Sequence, residues 1–186
     1  PLKFHTMQKE HLFIDFDGMK FDTLPATASY LNNRYDIEIP PEEYHHLGNY
    51  LDTIVKKYCP DTMLSRDDMY KDLGKNFHTS INWHDNIQPM EDMCEVMRLL
   101  VKKYTPWTVT ARQKPGINVI WYLLNKYIPE CIYDVHCVYE YGEDGTLHTL
   151  LKKDFIKSIP GKKRAFLDDS LHEVLEMKDI ISTFLF

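Results

Sequence analysis

Long apolar segments are missing from this sequence of 186 residues. No run approaches the roughly 18 apolar residues that a membrane-spanning helix needs, and residues 1–7 lack the apolar centre of a signal peptide. Positive charge is also scarce, since 22 Lys and Arg stand against 28 Asp and Glu. The resulting net charge of −6 argues against binding to the backbone of a nucleic-acid polymer. We therefore expect neither a membrane-spanning segment nor a nucleic-acid partner for this chain.

Cysteine is sparse as well, and its four positions have no CxxC spacing: Cys59, Cys94, Cys131 and Cys137. We expect these thiols to be reduced, which predicts a cytoplasmic protein. A zinc site at Cys131, His136 and Cys137 would lack a fourth ligand at a suitable spacing, so we disfavour it.

The chain has enough apolar material for a core, with 44% hydrophobic and 13% aromatic residues. Short apolar runs alternate with segments of helical character, which is typical of an α/β fold. We predict a Rossmann-like parallel sheet with helices on both faces, joined by right-handed crossovers. The predicted strands are Leu12–Ile14, Pro106–Arg112, Cys131–Tyr139, Ala165–Leu167 and Ile180–Phe186, with a turn at Glu143–Gly145.

Residues 25–86 differ from this alternation, because no strand with clean alternation occurs there. Helices are predicted at Ala26–Tyr35, at Pro41–Tyr58 and from Ser65 to about Leu73. We predict a small helical insertion over 25–86, within an α/β core made of residues 7–24 and 87–186. Pro89 is predicted to open the first helix after the insertion, with a methionine-rich face that belongs to the core.

Two carboxylates follow the first predicted strand directly. Asp15 and Asp17 are two residues apart, so an extended backbone points them to the same side, and Gly18 then permits a turn. The carboxyl ends of strands are where open α/β sheets bind ligands. The pair indicates a metal site, a nucleophile with an acid/base partner, or both.

Other polar residues occupy comparable positions along the chain. Thr110 closes the second strand, and its hydroxyl could donate to a phosphate oxygen. Lys152, or its neighbour Lys153, could counter the negative charge of Asp15 or of a substrate. Two adjacent acids, Asp168 and Asp169, end an apolar strand, where an unpaired buried carboxylate is costly. A hard cation with oxygen ligands removes that cost, and Mg²⁺ is the natural candidate beside a phosphate.

These residues resemble the motifs of the haloacid dehalogenase superfamily of phosphatases. Its motif I is an apolar strand followed by DxDGT, often continued as LFDT. Here Asp15, Asp17, Gly18 and Phe21-Asp22-Thr23 match, whereas Met19 and Lys20 replace the usual Thr and Leu. Val109-Thr110 resembles motif II, Lys152 resembles motif III, Phe166-Leu167-Asp168-Asp169 resembles motif IV, and 25–86 lies where the family has its C1 cap.

The resemblance implies a phosphatase that works through an aspartyl-phosphate. Asp15 is then the nucleophile, and Asp17 is the general acid and base. Mg²⁺ is then held by Asp15, the backbone carbonyl of Asp17 and Asp168, with Asp169 beside them. The remaining residues that the resemblance assigns to phosphate or substrate binding are Thr110, Lys152, the backbone of Phe16 to Gly18, Ala111 and Arg112.

The substrate is less well defined, because the cap matches no substrate motif. A phosphorylated small molecule such as a nucleoside monophosphate is the leading hypothesis. A phosphoprotein, with phosphotyrosine as the group removed, is the alternative, and an exposed Asp15 would favour it. A binding module that has lost turnover is a third possibility. Three cap histidines, His45, His46 and His84, are candidate substrate contacts, although surface or core positions are more common for histidine.

Overall fold

A computed structural model describes residues 9–141, 147–149 and 151–186, without the side chains of 46, 48–50, 140–141 and 147–149. Six strands of this part form one sheet in the order β4-β3-β2-β1-β5-β6. Their bounds are β1 Glu10–Ile14, β2 Tyr104–Gln113, β3 Asp134–Tyr141, β4 Leu147–Thr149, β5 Lys163–Asp168 and β6 Thr183–Leu185.

Five neighbouring strands of the sheet are parallel, in the order β3, β2, β1, β5 and β6. This confirms the predicted parallel sheet. β4 pairs with β3 in the antiparallel direction. The turn predicted at residues 143–145 lies outside the described residues. In the described part, no helix combines the length and apolar character that crossing a membrane requires.

β1 lies inside the sheet because its side chains are apolar on both faces. Leu12 and Ile14 belong to one hydrophobic cluster, whereas Phe13 belongs to a second cluster on the other face. Such continuous apolar runs are typical of parallel strands that are covered on both sides. The strand ends at Ile14, so Asp15 emerges at the carboxyl edge between β2 and β5.

In the ranges that the structure describes, eight α-helices surround the sheet or extend from it. Their bounds are α1 Leu24–Tyr35, α2 Leu47–Tyr58, α3 Arg66–Asp72, α4 Ile81–His84, α5 Met93–Leu100, α6 Ile117–Tyr127, α7 Lys152–Ser158 and α8 Leu171–Met177. α5 and α6 contribute to the cluster that contains Leu12, and α7 and α8 contribute to the cluster of Phe13. The prediction of helices on both faces is therefore confirmed.

The predicted helix start at Pro89 is wrong, because α5 begins at Met93. Phe21 forms an isolated bridge with Pro89, and the Met90 amide donates to the Lys20 carbonyl at 3.0 Å. Asp92 then adopts a left-handed conformation with φ of 57°. The segment before α5 is therefore tied to the turn after β1.

The inserted region has a hydrophobic cluster of its own. Its buried members all lie between residues 28 and 77: Ala28, Tyr30, Leu31, Ile39, Leu47, Leu51, Ile54, Val55, Met69, Leu73 and Phe77. The predicted helix Pro41–Tyr58 is divided into a 3-10 helix, Pro41–His46, and α2. α3 continues into a π-helical turn, Leu73–Phe77. The cap limits 25–86 remain a prediction.

α3 begins with a capping box formed by Ser65 and Asp68. The Ser65 hydroxyl accepts from the Asp68 amide at 3.1 Å, and the Asp68 carboxylate accepts from the Ser65 amide at 3.1 Å. Both bonds satisfy amide groups that the first helical turn leaves without helical partners.

Replacing Ser65 by alanine should lower the free energy of unfolding by about 1 kcal/mol, because the cap acceptor is lost. Urea unfolding followed by circular dichroism measures this change, and Ser65→Thr is the matched control because threonine keeps the hydroxyl. Equal stability of the alanine and threonine variants would contradict the role of the capping box.

Candidate active site

Three carboxylates meet at the carboxyl edge of β1 and β5. Ile14 pairs with Leu167, so the next residues, Asp15 and Asp168, emerge side by side. One ligand oxygen from each of Asp15, Asp168 and Asp169 lies within 4.8 Å of the others. Asp15 is only 5% exposed. Burial, together with the charge of Asp168, raises the pKa of Asp15 to about 7 despite the opposing effect of Lys152.

This arrangement suits a hard divalent cation. The three groups supply oxygen atoms, which are the ligands that Mg²⁺ prefers. Burial and the neighbouring Asp168 also raise the pKa of Asp169, which shows that the carboxylates repel one another. A cation would offset that repulsion. The side chain of Asp17 is outside this group of three, so its predicted contribution is limited to its backbone carbonyl.

Lys152 lies between two of these carboxylates, at the first residue of α7. Its Nζ donates to Asp15 Oδ1 at 2.9 Å and to Asp168 Oδ2 at 2.7 Å, and the residue is 3% exposed. Burial alone would lower the pKa of Lys152, but the charges of Asp15 and Asp168 hold it above its usual range. Lys153, the alternative, instead pairs with Glu176 at 3.3 Å.

The carboxylate of Asp17 is held by Arg112, which is 2% exposed. Arg112 Nε donates to Oδ2 at 2.9 Å and Nη2 donates to Oδ1 at 2.8 Å, and the Thr23 hydroxyl donates to Oδ1 at 2.7 Å. Burial opposes ionisation, but Arg112 and Thr23 hold the pKa of Asp17 well below its usual range. Asp17 is therefore ionised in this arrangement, which is the state of a general base rather than a general acid.

Arg112 also connects Asp17 to α4 through His84. Its Nη1 lies 2.9 Å from His84 Nε2, and His84 Nδ1 lies 2.8 Å from the Ser80 carbonyl. A carbonyl only accepts, so Nδ1 carries the proton and Nε2 accepts from Arg112. The guanidinium therefore uses three of its five N–H groups within the protein. Its predicted substrate contact remains a prediction.

The other cap histidines differ in position. His45 is exposed, and the side chain of His46 lies outside the described residues. His78, which the sequence analysis did not single out, lies near Arg112 and Asp17. Burial and then Arg112 lower the pKa of His78 to about 3 and that of His84 to about 4. Both rings are therefore neutral at pH 7.

Thr110 and Ala111 lie at the end of β2, beside the carboxylates. The Thr110 hydroxyl is buried and accepts from the Arg112 amide at 3.2 Å, and its own proton is left to donate elsewhere. Ala111 is exposed. Phe16 is fully buried, and its ring lies 4.9 Å from the Arg112 guanidinium carbon, so only its backbone could contact a substrate.

Gly18 adopts φ of 69°, a left-handed conformation that favours glycine. A Cβ at this position would lie 2.1 Å from Asp169 Oδ2, so glycine allows the Asp169 carboxylate to approach the turn. The Gly18 amide donates to the Phe21 carbonyl at 3.0 Å. This predicted phosphate-binding amide is therefore engaged inside the turn.

Lys20 is a second buried amine that the sequence analysis did not place in the site, and it is 1% exposed. Its Nζ donates to the Ile14 carbonyl and to the Thr108 hydroxyl. Burial lowers the pKa of Lys20 to about 7, although the nearby Asp15 raises it. A lysine directly after a turn has the sequence signature of a surface residue, so only its place in motif I could have marked it.

Comparison with known proteins identifies the fold. No family model and no curated protein matches the sequence. The structure is similar to a haloacid dehalogenase-like hydrolase from Streptococcus pneumoniae, with a TM-score of 0.63 and 12% identity over 95% of this chain and 84% of that one. A predicted phosphoglycolate phosphatase from Haemophilus somnus has a TM-score of 0.62 and 14% identity, over 96% of this chain and 85% of that one. CbbY from Rhodobacter sphaeroides, in complex with phosphate, has a TM-score of 0.59 and 13% identity, over 96% of this chain and 87% of that one.

These similarities show that the chain has the haloacid dehalogenase fold, as the sequence motifs imply. The matches extend over the cap as well as the core, because each covers at least 95% of this chain.

Replacing Lys152 by methionine should lower the free energy of unfolding by about 3 kcal/mol or more without metal, because two buried carboxylates lose their cation. Adding Mg²⁺ should restore part of that loss. Thermal and urea unfolding in EDTA and in Mg²⁺ measure both effects. Lys153→Met is the matched control and should cost less than about 1 kcal/mol, since its ion pair is partly exposed. Equal losses in the two variants would contradict this assignment.

The lowered pKa of His84 predicts a loss of stability in acid. Between its ordinary value of 6.5 and about 4, the unfolded chain binds a proton that the folded protein does not, so stability falls as pH falls through this window. His84 should account for a loss of about 3 kcal/mol in the free energy of unfolding across this pH window. His84→Gln should remove it while keeping an acceptor for Arg112. Urea unfolding at pH 7, 5.5 and 4 measures the difference. His172→Gln, at an exposed histidine of α8, is the control and should lose stability with falling pH as the wild type does. If His84→Gln lost as much stability as the wild type between pH 7 and pH 4, the prediction would be wrong.

Proposed function

We propose that this protein is a Mg²⁺-dependent phosphomonoester hydrolase. The observation that carries the proposal is the group formed by Asp15, Asp168, Asp169 and Lys152 at the carboxyl edge of the parallel sheet. Three carboxylates and one buried lysine at one point have no packing function, because an apolar set would fill the space at lower cost. The phosphatase and hydrolase descriptions of proteins with this fold support the same activity.

In the proposed reaction, the Asp15 carboxylate attacks phosphorus, the bond from phosphorus to the substrate oxygen breaks, and that oxygen leaves as an alcohol with a proton from protonated Asp17. An aspartyl-phosphate remains on the protein. Bound Mg²⁺ would neutralise negative charge between the carboxylates and the phosphate, so that the two anions can approach. Lys152 and the Thr110 hydroxyl stabilise the phosphate oxygens. Asp17 then takes a proton from water, which attacks phosphorus and regenerates Asp15.

Protonation of the leaving group by Asp17 requires an additional step. Arg112 and the Thr23 hydroxyl donate to three of the roughly four acceptor sites of the Asp17 carboxylate and favour its ionised form. Asp17 therefore has to take up a proton, against that preference, before it acts as an acid. The ionised form that the structure contains is suited to the second half of the reaction.

The burial of Asp15 favours a compact substrate. With 5% of its surface exposed, the nucleophile is not open to a phosphate attached to a folded protein. A phosphorylated small molecule such as a nucleoside monophosphate is therefore our proposed substrate class, and phosphotyrosine in a protein is the less favoured alternative. A module that binds without turnover would keep the metal site and lose the chemistry.

Hydrolysis of p-nitrophenyl phosphate with and without Mg²⁺ tests the activity. Asp15→Asn should reduce turnover at least about 1,000-fold, because the nucleophile is lost. Asp154→Asn, an exposed acid of α7, is the matched control. A panel of nucleoside monophosphates, sugar phosphates and phosphotyrosine peptides then compares the substrate classes. Mg²⁺ binding without turnover on the whole panel would reject the enzyme in favour of the binding module.

A further inference from the structure

Lys20 is one of the two residues at which this chain departs from motif I, and its side chain is buried at the end of β1, next to the proposed nucleophile. The Lys20 and Phe21 amides donate to the Phe16 carbonyl at 3.1 and 3.2 Å, and the Gly18 amide donates to the Phe21 carbonyl. The chain therefore turns back on itself after β1. This turn directs the side chain of Lys20 toward the end of the strand that it has just left.

The amine joins two strands at their last shared position. Its Nζ donates to the Ile14 carbonyl at 3.1 Å and to the Thr108 hydroxyl at 3.0 Å. Ile14 and Thr108 are partners in the register of β1 and β2. Two acceptors can be satisfied by a neutral amine as well as by an ammonium, so these contacts do not depend on the charge of Lys20.

The Ile14 carbonyl belongs to the same planar peptide unit as the Asp15 amide. That amide donates to the Leu167 carbonyl of β5 at 2.9 Å. The unit is therefore fixed on one side by β5 and on the other by Lys20. The Cα of Asp15 is bonded to this amide nitrogen and carries the side chain. The direction of the Asp15 side chain therefore depends on the orientation of the peptide.

Burying a lysine at this position costs more free energy than burying an apolar residue would. Both acceptors of Nζ in the described part are neutral oxygens, and burying an amine without a carboxylate partner costs free energy. An apolar side chain of similar length would occupy the same volume without that cost. The hydrogen bonds of Lys20 and the nearby charge of Asp15, rather than packing, therefore distinguish lysine from an apolar residue at this position.

We propose that Lys20 is a positioning residue for the nucleophile, which holds the Ile14–Asp15 peptide so that the Asp15 carboxylate points at the phosphorus atom. Lys20 acts through the backbone and does not contact the phosphate. This inference rests on the proposed phosphatase function and assigns it a residue that the family motifs do not include.

Lys20→Met removes the donor and keeps the length of the side chain. With p-nitrophenyl phosphate and Mg²⁺, kcat should fall about 10- to 100-fold, because a small misdirection of the nucleophile slows attack. KM should change less than about threefold, since the phosphate contacts remain. The melting temperature should be unchanged or higher, because a buried polar group is replaced by an apolar one. Lys157→Met, at an exposed lysine of α7, is the control for the substitution itself.

The acceptor gives an independent test. Thr108→Val should lower kcat in the same direction, whereas Thr108→Ser, which keeps the hydroxyl, should stay within about twofold of the wild type. The double variant Lys20→Met with Thr108→Val should be no slower than Lys20→Met alone, because Lys20→Met already removes the contact that Thr108→Val removes.

Three outcomes would overturn the inference. Unchanged kcat in Lys20→Met would remove the positioning role, and a fall in kcat accompanied by a lower melting temperature would assign Lys20 to stability instead. Additive losses in the double variant would show that Thr108 and Lys20 act separately. If the wild type turned over no substrate, the proposed function would fail and this inference with it, whereas active wild type with an equally active Lys20→Met would reject the inference alone.

Discussion

Electrostatic repulsion among Asp15, Asp168 and Asp169 is the constraint on which the rest of the site depends. The three carboxylates converge because parallel strands β1 and β5 end at the same edge, and burial strengthens their repulsion by excluding water. Lys152 offsets part of this charge from α7, which is why a lysine begins that helix in the interior. The remaining negative charge is what a divalent cation would offset.

Secondary structure contributes mainly by bringing distant segments to this edge. The apolar run before Asp15 and the apolar run before Asp168 form adjacent strands, while β2 places Thr110 and Arg112 on the other side of β1. Arg112 in turn links Asp17 to His84 of α4. The site therefore draws on residues from several parts of the chain, and none of those parts forms it alone.

The sequence predicts the parallel sheet and its main residues because each apolar run ends in a polar group with a recognisable role. It also indicates the helical character of residues 25–86. The start of α5 could not be predicted, because the bridge between Phe21 and Pro89 is a contact between distant segments that overrides the helix signal at Pro89. The partners of Asp17 and the burial of Lys20 likewise depend on the direction of side chains after a turn, which local sequence does not specify.

The contacts of Arg112 couple the protonation of Asp17 to that of His84. One guanidinium donates to both oxygens of Asp17 and to the His84 ring, and the charges of Arg112 and Asp17 act on the pKa of His84 in opposite directions. Linkage requires that the effect of Asp17 on His84 equals the effect of His84 on Asp17. A residue of α4 that lies far from β1 in sequence therefore takes part in setting the proton affinity of Asp17.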